Sequence, residues 1–304
     1  MERSLLTDRP RGSVLKTRPQ ASFPRHGWVG LGLIAVFWPL NWFMPGFRTT
    51  WAFFPLWLGY CLTVDALVFR TRGTSILSRS WKAYAGLFAV SAPVWWIFEL
   101  VNLRIQNWVY LGSDAYSPLA FFLTATINFS IVVPAVFGAA ELMAGMKFIQ
   151  RMKPCWVIRS DRRTSILLFG LGWAMLGLML AWPRYFFPFA WLSVLFLLEP
   201  INIWLGNPAL TRWTAVGDWR PLVSLFLGGL LTGFFWEMWN YYAFPKWIYN
   251  VPGVGFFHIF EMPLLGYLGY LPFALELFAM YHLVAGILRL NQSQLPNIDF
   301  TREE

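Results

Sequence analysis

Two short motifs recur in this chain and carry residue types suited to proton chemistry. Glu99-Leu-Val-Asn102 returns as Glu237-Met-Trp-Asn240, and each is followed by a Trp-x-Tyr, Trp108 to Tyr110 and Trp247 to Tyr249. A spacing of three puts the Glu and the Asn on one face of a helix. A carboxyl group in an apolar setting can hold a proton and deliver it to a bound molecule. Glu276 is a third acid of this kind. It falls near the middle of an apolar block, four residues after Pro272, and proline kinks helices. Glu237, Asn240, Glu276, Glu99 and Asn102 are therefore the candidate catalytic residues. Asp65 and Glu199, a looser pair, join Trp236, Trp239, Tyr241, Trp247 and Tyr249 as candidate substrate-binding residues. The competing explanation for the acids is structural: polar residues near helix ends cap, or hydrogen-bond a neighbouring helix. Glu141, at the inner end of its block, is read that way.

The elements that must position these residues are membrane helices. Of the 304 residues, 57% are hydrophobic and only 13% are charged, against roughly 25% charged in an ordinary soluble domain. The apolar residues fall in blocks of about 20, the length a helix needs to cross the hydrocarbon layer. Unpaired backbone is too costly in lipid for such blocks to be anything but helices. The blocks predict eight spans, at 28–46, 51–69, 83–103, 118–146, 165–182, 188–206, 221–240 and 264–288. The expected fold class is all-α, a polytopic membrane protein.

Charge sets the expected orientation. Twenty of the 24 Lys and Arg lie in the two tails or in the loops after the second, fourth and sixth spans; Arg48, Arg104, Arg184 and Lys246 lie on the other side. The positive-inside rule then places both termini in the cytoplasm, with the chain in the inner cell membrane. The net charge of +9 is accounted for by these loops, so no nucleic-acid partner is expected; membrane lipids are. The first apolar block begins only near Trp28, behind a polar tail, so no cleavable signal is expected. Cys61 sits in an apolar block and Cys155 in a basic loop, and no disulfide between them is expected.

The chain also repeats beyond its acids. Phe53-Phe54-Pro55 matches Phe186-Phe187-Pro188, and Gly73, Leu77 and Arg79 match Gly206, Leu210 and Arg212. Four spans separate the matches, so the halves share one topology and form a parallel repeat. The expected organisation is a basic tail (1–27), a first four-helix repeat (28–146), a basic linker (147–164), a second repeat (165–290) and a tail (291–304). The segment 241–263, rich in aromatics and broken by Pro and Gly, is expected to cover the outer end of the seventh span and roof a cavity.

Several chemistries find no residues. His26, His258 and His282 lie at different depths, which argues against a metal or haem site. No lysine falls mid-block for a Schiff base, and no Asp-rich, Walker or Rossmann motif is present. Neither a cofactor nor a metal is expected.

The stretch from Trp236-Glu237 to Asn240, then Trp247-x-Tyr249, then Gly266 to Phe278, resembles the repeat of the lycopene-cyclase-domain membrane proteins of carotenoid biosynthesis. That family carries an acid after a Trp, a downstream Trp-x-Tyr, and a Pro followed by an acidic pair. Here Pro272 is followed by the single Glu276, and the first half has Asn128 but no acid in the corresponding helix. The resemblance covers about 45 residues. It implies cofactor-free acid–base work on a polyene: Glu237 or Glu276 would protonate a double bond, and Trp236, Trp239 and Tyr241 would stabilise the carbocation. Glu99 would take a proton back. A non-catalytic lipid-binding or scaffold subunit, and a small-solute or ion carrier, remain as alternatives.

Overall fold

The computed structural model describes residues 21–290 and 295–300. Most of the basic N-terminal tail, and most of the 291–304 tail, lie outside them. Helix α1 (Arg25–Phe43) pairs with α2 (Thr49–Arg72). A short α3 (Ile76–Arg79) leads into α4 (Trp81–Ile105), then strand β1 (Trp108–Leu111). Helices α5 (Pro118–Phe129) and α6 (Val132–Ala144) follow almost end to end, then a short α7 (Lys147–Gln150). Next come α8 (Arg162–Ala181), the short α9 (Pro183–Phe186) and α10 (Ala190–Leu205). A short α11 (Thr211–Thr214) precedes α12 (Arg220–Tyr241). Strand β2 (Lys246–Tyr249) and the small pair β3 (His258–Ile259) and β4 (Met262–Pro263) come before α13 (Tyr270–Ile287).

Among the described residues, seven helical stretches are long and apolar enough to cross a membrane, the make-up of a multi-pass membrane protein. They are α2, α4, α5 with α6, α8, α9 with α10, α12, and α13 with the turn before it. Helix α1 has 19 residues but is not among them; His26, Asn41 and its three tryptophans dilute its apolar character. The chain is mostly helical, and the all-α expectation misses two short antiparallel ribbons, β1–β2 and β3–β4.

Local chemistry sets the ends. Gly73 and Gly206, matched in sequence, close α2 and α10 at φ 71° and 72°, a left-handed conformation that costs glycine little. Ser80, Ser117 and Asp161 cap α4, α5 and α8, each accepting a backbone N–H three residues on. The span expected as one helix at 118–146 is broken at Ser130–Ile131. Pro134 has no N–H to give the Ser130 carbonyl. At the same place the Ser91 hydroxyl donates to the Phe129 carbonyl (2.6 Å) and accepts from Val133 N (3.1 Å), replacing a helical hydrogen bond.

The helices pack in a pattern that recurs along the chain. Helix α1 lies on α2 as α8 lies on α10. Helix α6 contacts α2 and α4, as α13 contacts α10 and α12. Cross-contacts join α6 to α12 and α13 to α4. The α6–α12 crossing is close: a Cβ at Gly228 would sit 2.6 Å from the Ala140 nitrogen, so only glycine fits there.

At the end of the bundle opposite the β1–β2 ribbon, the stretch 295–300 is strapped to the helices rather than free. Leu295, Ile298 and Phe300 are buried. The Asn297 N–H donates to Glu141 Oε1 (2.7 Å), Arg72 donates to the Asn297 carbonyl (2.7 Å), and the Arg220 guanidinium lies 4.5 Å from the Phe300 ring centre. Glu141 itself is held bidentately by Arg79 (2.5 and 3.1 Å). It is thus an anchor, paired by an arginine from outside the spans.

Candidate functional site

The two Glu-x-x-Asn motifs perform one task twice. Asn102, near the end of α4, donates through Nδ2 to the Trp108 carbonyl (2.8 Å), and its Oδ1 accepts from the Asn107 and Trp108 N–H groups (2.9 and 3.3 Å). Asn240, near the end of α12, donates to the Trp247 carbonyl (2.7 Å) and accepts from Trp247 N (3.0 Å). Each asparagine therefore pins the first residue of a Trp-x-Tyr strand. The strands pair antiparallel, with Trp108 opposite Tyr249 and Tyr110 opposite Trp247. Side chains alternate along a strand and paired residues share a face. All four aromatics therefore point the same way, into one cavity.

Each glutamate receives the hydroxyl of its own strand. Glu99 Oε1 accepts from Tyr110 OH (2.5 Å), Trp108 Nε1 (3.2 Å) and Trp95 Nε1 (2.9 Å). Glu237 Oε1 accepts from Tyr249 OH (2.7 Å) and Tyr270 OH (2.5 Å). Trp247 Nε1 donates to the Tyr249 oxygen (2.9 Å) rather than to the acid. Burial, and then the negative field of the adjacent glutamate, push the Tyr110 and Tyr249 phenols well above their ordinary range. Both remain protonated donors at neutral pH.

The cavity under the ribbon measures about 160 Å³, far beyond the ~10–15 Å³ that one water needs. Its walls are mostly aromatic: Trp95, Trp191, Trp236, Tyr270 and Phe273 complete what the ribbon begins. Thr124 and Asn128 of α5 form a more polar wall, and the Asn128 Oδ1 is buried without a partner among the described residues. Pro245, Lys246 and Met262 stand on the ribbon side, so the 241–263 segment does contribute to the roof.

The structure sorts the sequence-derived candidates into three groups. Trp236, Trp247 and Tyr249 line the cavity. Glu99 and Glu237 stand one hydrogen bond behind its wall, with Asn102 and Asn240 holding that wall in place. The remaining five lie elsewhere. Trp239 is buried among Trp38, Trp57 and Phe235, and its carbonyl accepts from Asn41 and Trp42. Tyr241 is 39% exposed, and the Lys246 ammonium lies 5.7 Å from its ring centre. Asp65 accepts from Ser75 Oγ (2.7 Å) and Leu77 N (3.0 Å) and faces His26 (3.1 Å). It caps α3, about 18 Å along α2 from the cavity residue Phe53 by helix rise. Glu199 accepts from Thr211 N (2.7 Å) and caps α11 in the same manner.

Glu276 is fully buried in α13 and neither of its oxygens has a hydrogen-bond partner among the described residues. It lies one turn beyond Phe273 but does not line the cavity. Among the described residues no group of three or more His, Cys, Asp or Glu could hold a metal ion, and Cys61 and Cys155 are free thiols.

Trp95, Tyr110, Trp191, Tyr270 and Asn128 belong to the site and are missing from the sequence-derived set. Trp95 carried a usable signal, standing four residues before Glu99 and so on its helix face. Tyr270 had none in its own neighbourhood. Comparison of the chain with protein-family models, with curated proteins and with solved structures found no match.

Proposed function

We propose that this protein is a membrane-embedded, cofactor-free acid–base enzyme acting on an isoprenoid, carotenoid or other lipid bound in the cavity beneath the β1–β2 ribbon. One observation carries the reading: two glutamates, from α4 and α12, each reach the same aromatic cavity through tyrosine hydroxyls. Proton delivery from the Glu237 side, through Tyr270 or Tyr249, would convert a carbon–carbon double bond into a carbocation. Loss of a proton to the Glu99 side, through Tyr110, would return a neutral, isomeric product. The aromatic walls would stabilise the charge between the two steps and exclude the water that would quench it.

The same proposal takes the chain as two parallel four-helix repeats, with α1 as the eighth span and both termini cytoplasmic. The recurring helix contacts support this. So does the ribbon register, which maps onto itself when Trp108 exchanges with Trp247 and Tyr110 with Tyr249. The axis of such an exchange passes through the ribbon and into the cavity. The charge split between loops supports the orientation.

A second reading is favoured by a specific observation: neither glutamate itself lines the cavity. A lipid-binding or scaffold subunit would use the acids only to stiffen the walls. One experiment separates the two. The purified protein is extracted with solvent and its co-purifying lipids are identified by mass spectrometry, then offered back to wild type and to Glu237→Gln. Conversion by wild type and not by the variant supports the enzyme. Binding by both with conversion by neither supports the scaffold.

A further inference from the structure

The cavity wall has a polarity that its apolar composition conceals. The indole N–H groups of Trp95 and Trp108 and the hydroxyl of Tyr110 all point backwards, onto Glu99. The hydroxyls of Tyr249 and Tyr270 point backwards onto Glu237. With those polar hydrogens committed to the glutamates, what the rings offer the cavity is their aromatic surface, which attracts cations through its electron-rich faces. Two glutamates stand one hydrogen bond behind these rings, and among the described residues no Lys or Arg bonds them. Elsewhere in the lining the Asn128 Oδ1, without a partner among the described residues, adds another acceptor. Lys246, the basic residue of the lining, is held by Glu261 and by the Tyr241 carbonyl. The space is thus lined by aromatic rings and an amide oxygen, with Lys246 paired to Glu261 and with Glu99 and Glu237 one hydrogen bond behind the rings, where their ionised forms add to the attraction for positive charge.

We infer that the cavity recognises a compact, weakly hydrated organic cation of the trimethylammonium type, in preference to a neutral group of the same shape. This rests on the reading of the cavity as the substrate site and specifies what that site selects. A positive centre of this kind has two sources. One is a fixed ammonium on a lipid headgroup. The other is a transient carbocation on an apolar chain, which a chain-borne ammonium imitates. Inorganic cations fit neither source, because their hydration shells must be stripped before they can touch ring faces.

The test uses the full chain in nanodiscs and the fluorescence of its cavity tryptophans. Choline is titrated against its neutral isostere 3,3-dimethylbutan-1-ol, with sodium chloride at equal ionic strength as the control. The expected result is saturable binding of choline, about tenfold or more tighter than the isostere, with no response to sodium. Glu237→Gln is expected to weaken choline several-fold and leave the isostere unchanged. The wild-type comparison decides the matter even if that variant fails to fold. Geranyltrimethylammonium binding much more tightly than choline assigns the centre to a chain; choline binding as tightly assigns it to a headgroup. Equal binding of choline and the isostere overturns the cation inference and leaves the cavity as a lipid site. No saturable binding of either overturns both.

Discussion

The acid site of α4 and the acid site of α12 share a scaffold and differ in what completes them. In both, an asparagine pins a Trp-x-Tyr strand and a glutamate takes the tyrosine hydroxyl. On the α4 side the further donors are indoles, Trp108 from the strand and Trp95 from one turn earlier in the same helix. On the α12 side the residue one turn earlier is Gly233. A Cβ there would lie 2.6 Å from the Tyr270 ring. The missing side chain makes room for a tyrosine from α13, which donates to Glu237 in place of the indole. Glu99 therefore has three neutral donors and is partly exposed. Glu237 is fully buried, takes two tyrosines, and keeps one oxygen, Oε2, without a partner. The lesson is that one recurring motif stands in two settings: Glu99 is partly exposed with three donors on Oε1, and Glu237 is fully buried with two. Glu237 is the fully buried acid, and two hydroxyls connect it to the cavity.

The largest expected effect tests that difference directly. Glu237→Gln should lower turnover by about 10²–10⁴-fold, the usual contribution of a positioned acid or base, while the protein still accumulates. Glu99→Gln should cost more stability than Glu237→Gln, because an amide oxygen accepts three donors less well than a carboxylate. Product formation in isolated membranes and thermal unfolding in detergent measure the two quantities. Equal effects of both changes on both readouts would erase the asymmetry.

The next effect concerns what the sites share. Asn102→Ala and Asn240→Ala each strand a buried strand terminus, at about 1–3 kcal/mol per site. Because both strands belong to one ribbon, the double change should cost less than the sum of the singles. Additive losses would mean that the two pins act independently and that the ribbon is not a single unit.

A smaller effect probes the cause of the asymmetry. Gly233→Ala pushes a methyl group against the Tyr270 ring and should cost about 1–3 kcal/mol, as overpacking does. It should also shift Tyr270 away from Glu237, so turnover should fall with stability. The reciprocal Trp95→Gly opens space beside Glu99 without placing a tyrosine there, and should weaken the fold without moving proton transfer to that side. A neutral Gly233→Ala would show that Tyr270 does not depend on the space left by the glycine.

Much of this scaffold was legible in the residues themselves. Block length announced the seven stretches long and apolar enough to span, while the first expected span, α1, falls short of them, and the recurrence of Glu-x-x-Asn with Trp-x-Tyr located both halves of the site. Three features were not legible, each for a physical reason. Strands of four residues in a membrane protein leave no periodic signal, so β1–β2 was read as loop and interfacial segment. The break at Ser130 depends on Ser91, which is 39 positions away in sequence and visible only once α4 packs on α6. Tyr270 reaches Glu237 because of an absence at Gly233, and an absence has no motif. Trp239 and Tyr241 fail for a simpler reason. At 100° per residue Tyr241 stands about 140° round α12 from Trp236 and so faces away from it, whereas Trp239 lies nearly on Trp236's side of the helix but one turn on, where Trp38, Trp57 and Phe235 enclose it.

Asp65 and Glu199 offer the mildest test and the one that separates chemistry from architecture. Both are buried acids within spans, the usual mark of a functional site, yet each caps a short helix at the end of the bundle away from the ribbon. Their loss should therefore act as the loss of a cap does, at about 0.5–2 kcal/mol, with turnover per folded molecule unchanged. Asp65→Ala should be the costlier of the two. It strands the Ser75 hydroxyl and the Leu77 N–H and removes the partner of His26, whereas Glu199→Ala strands the Thr211 N–H. Thermal unfolding ranks the two losses, and turnover normalised to folded protein completes the test. A fall in that normalised turnover for either variant would carry the functional region from the aromatic cavity across to the α3 and α11 ends of the molecule.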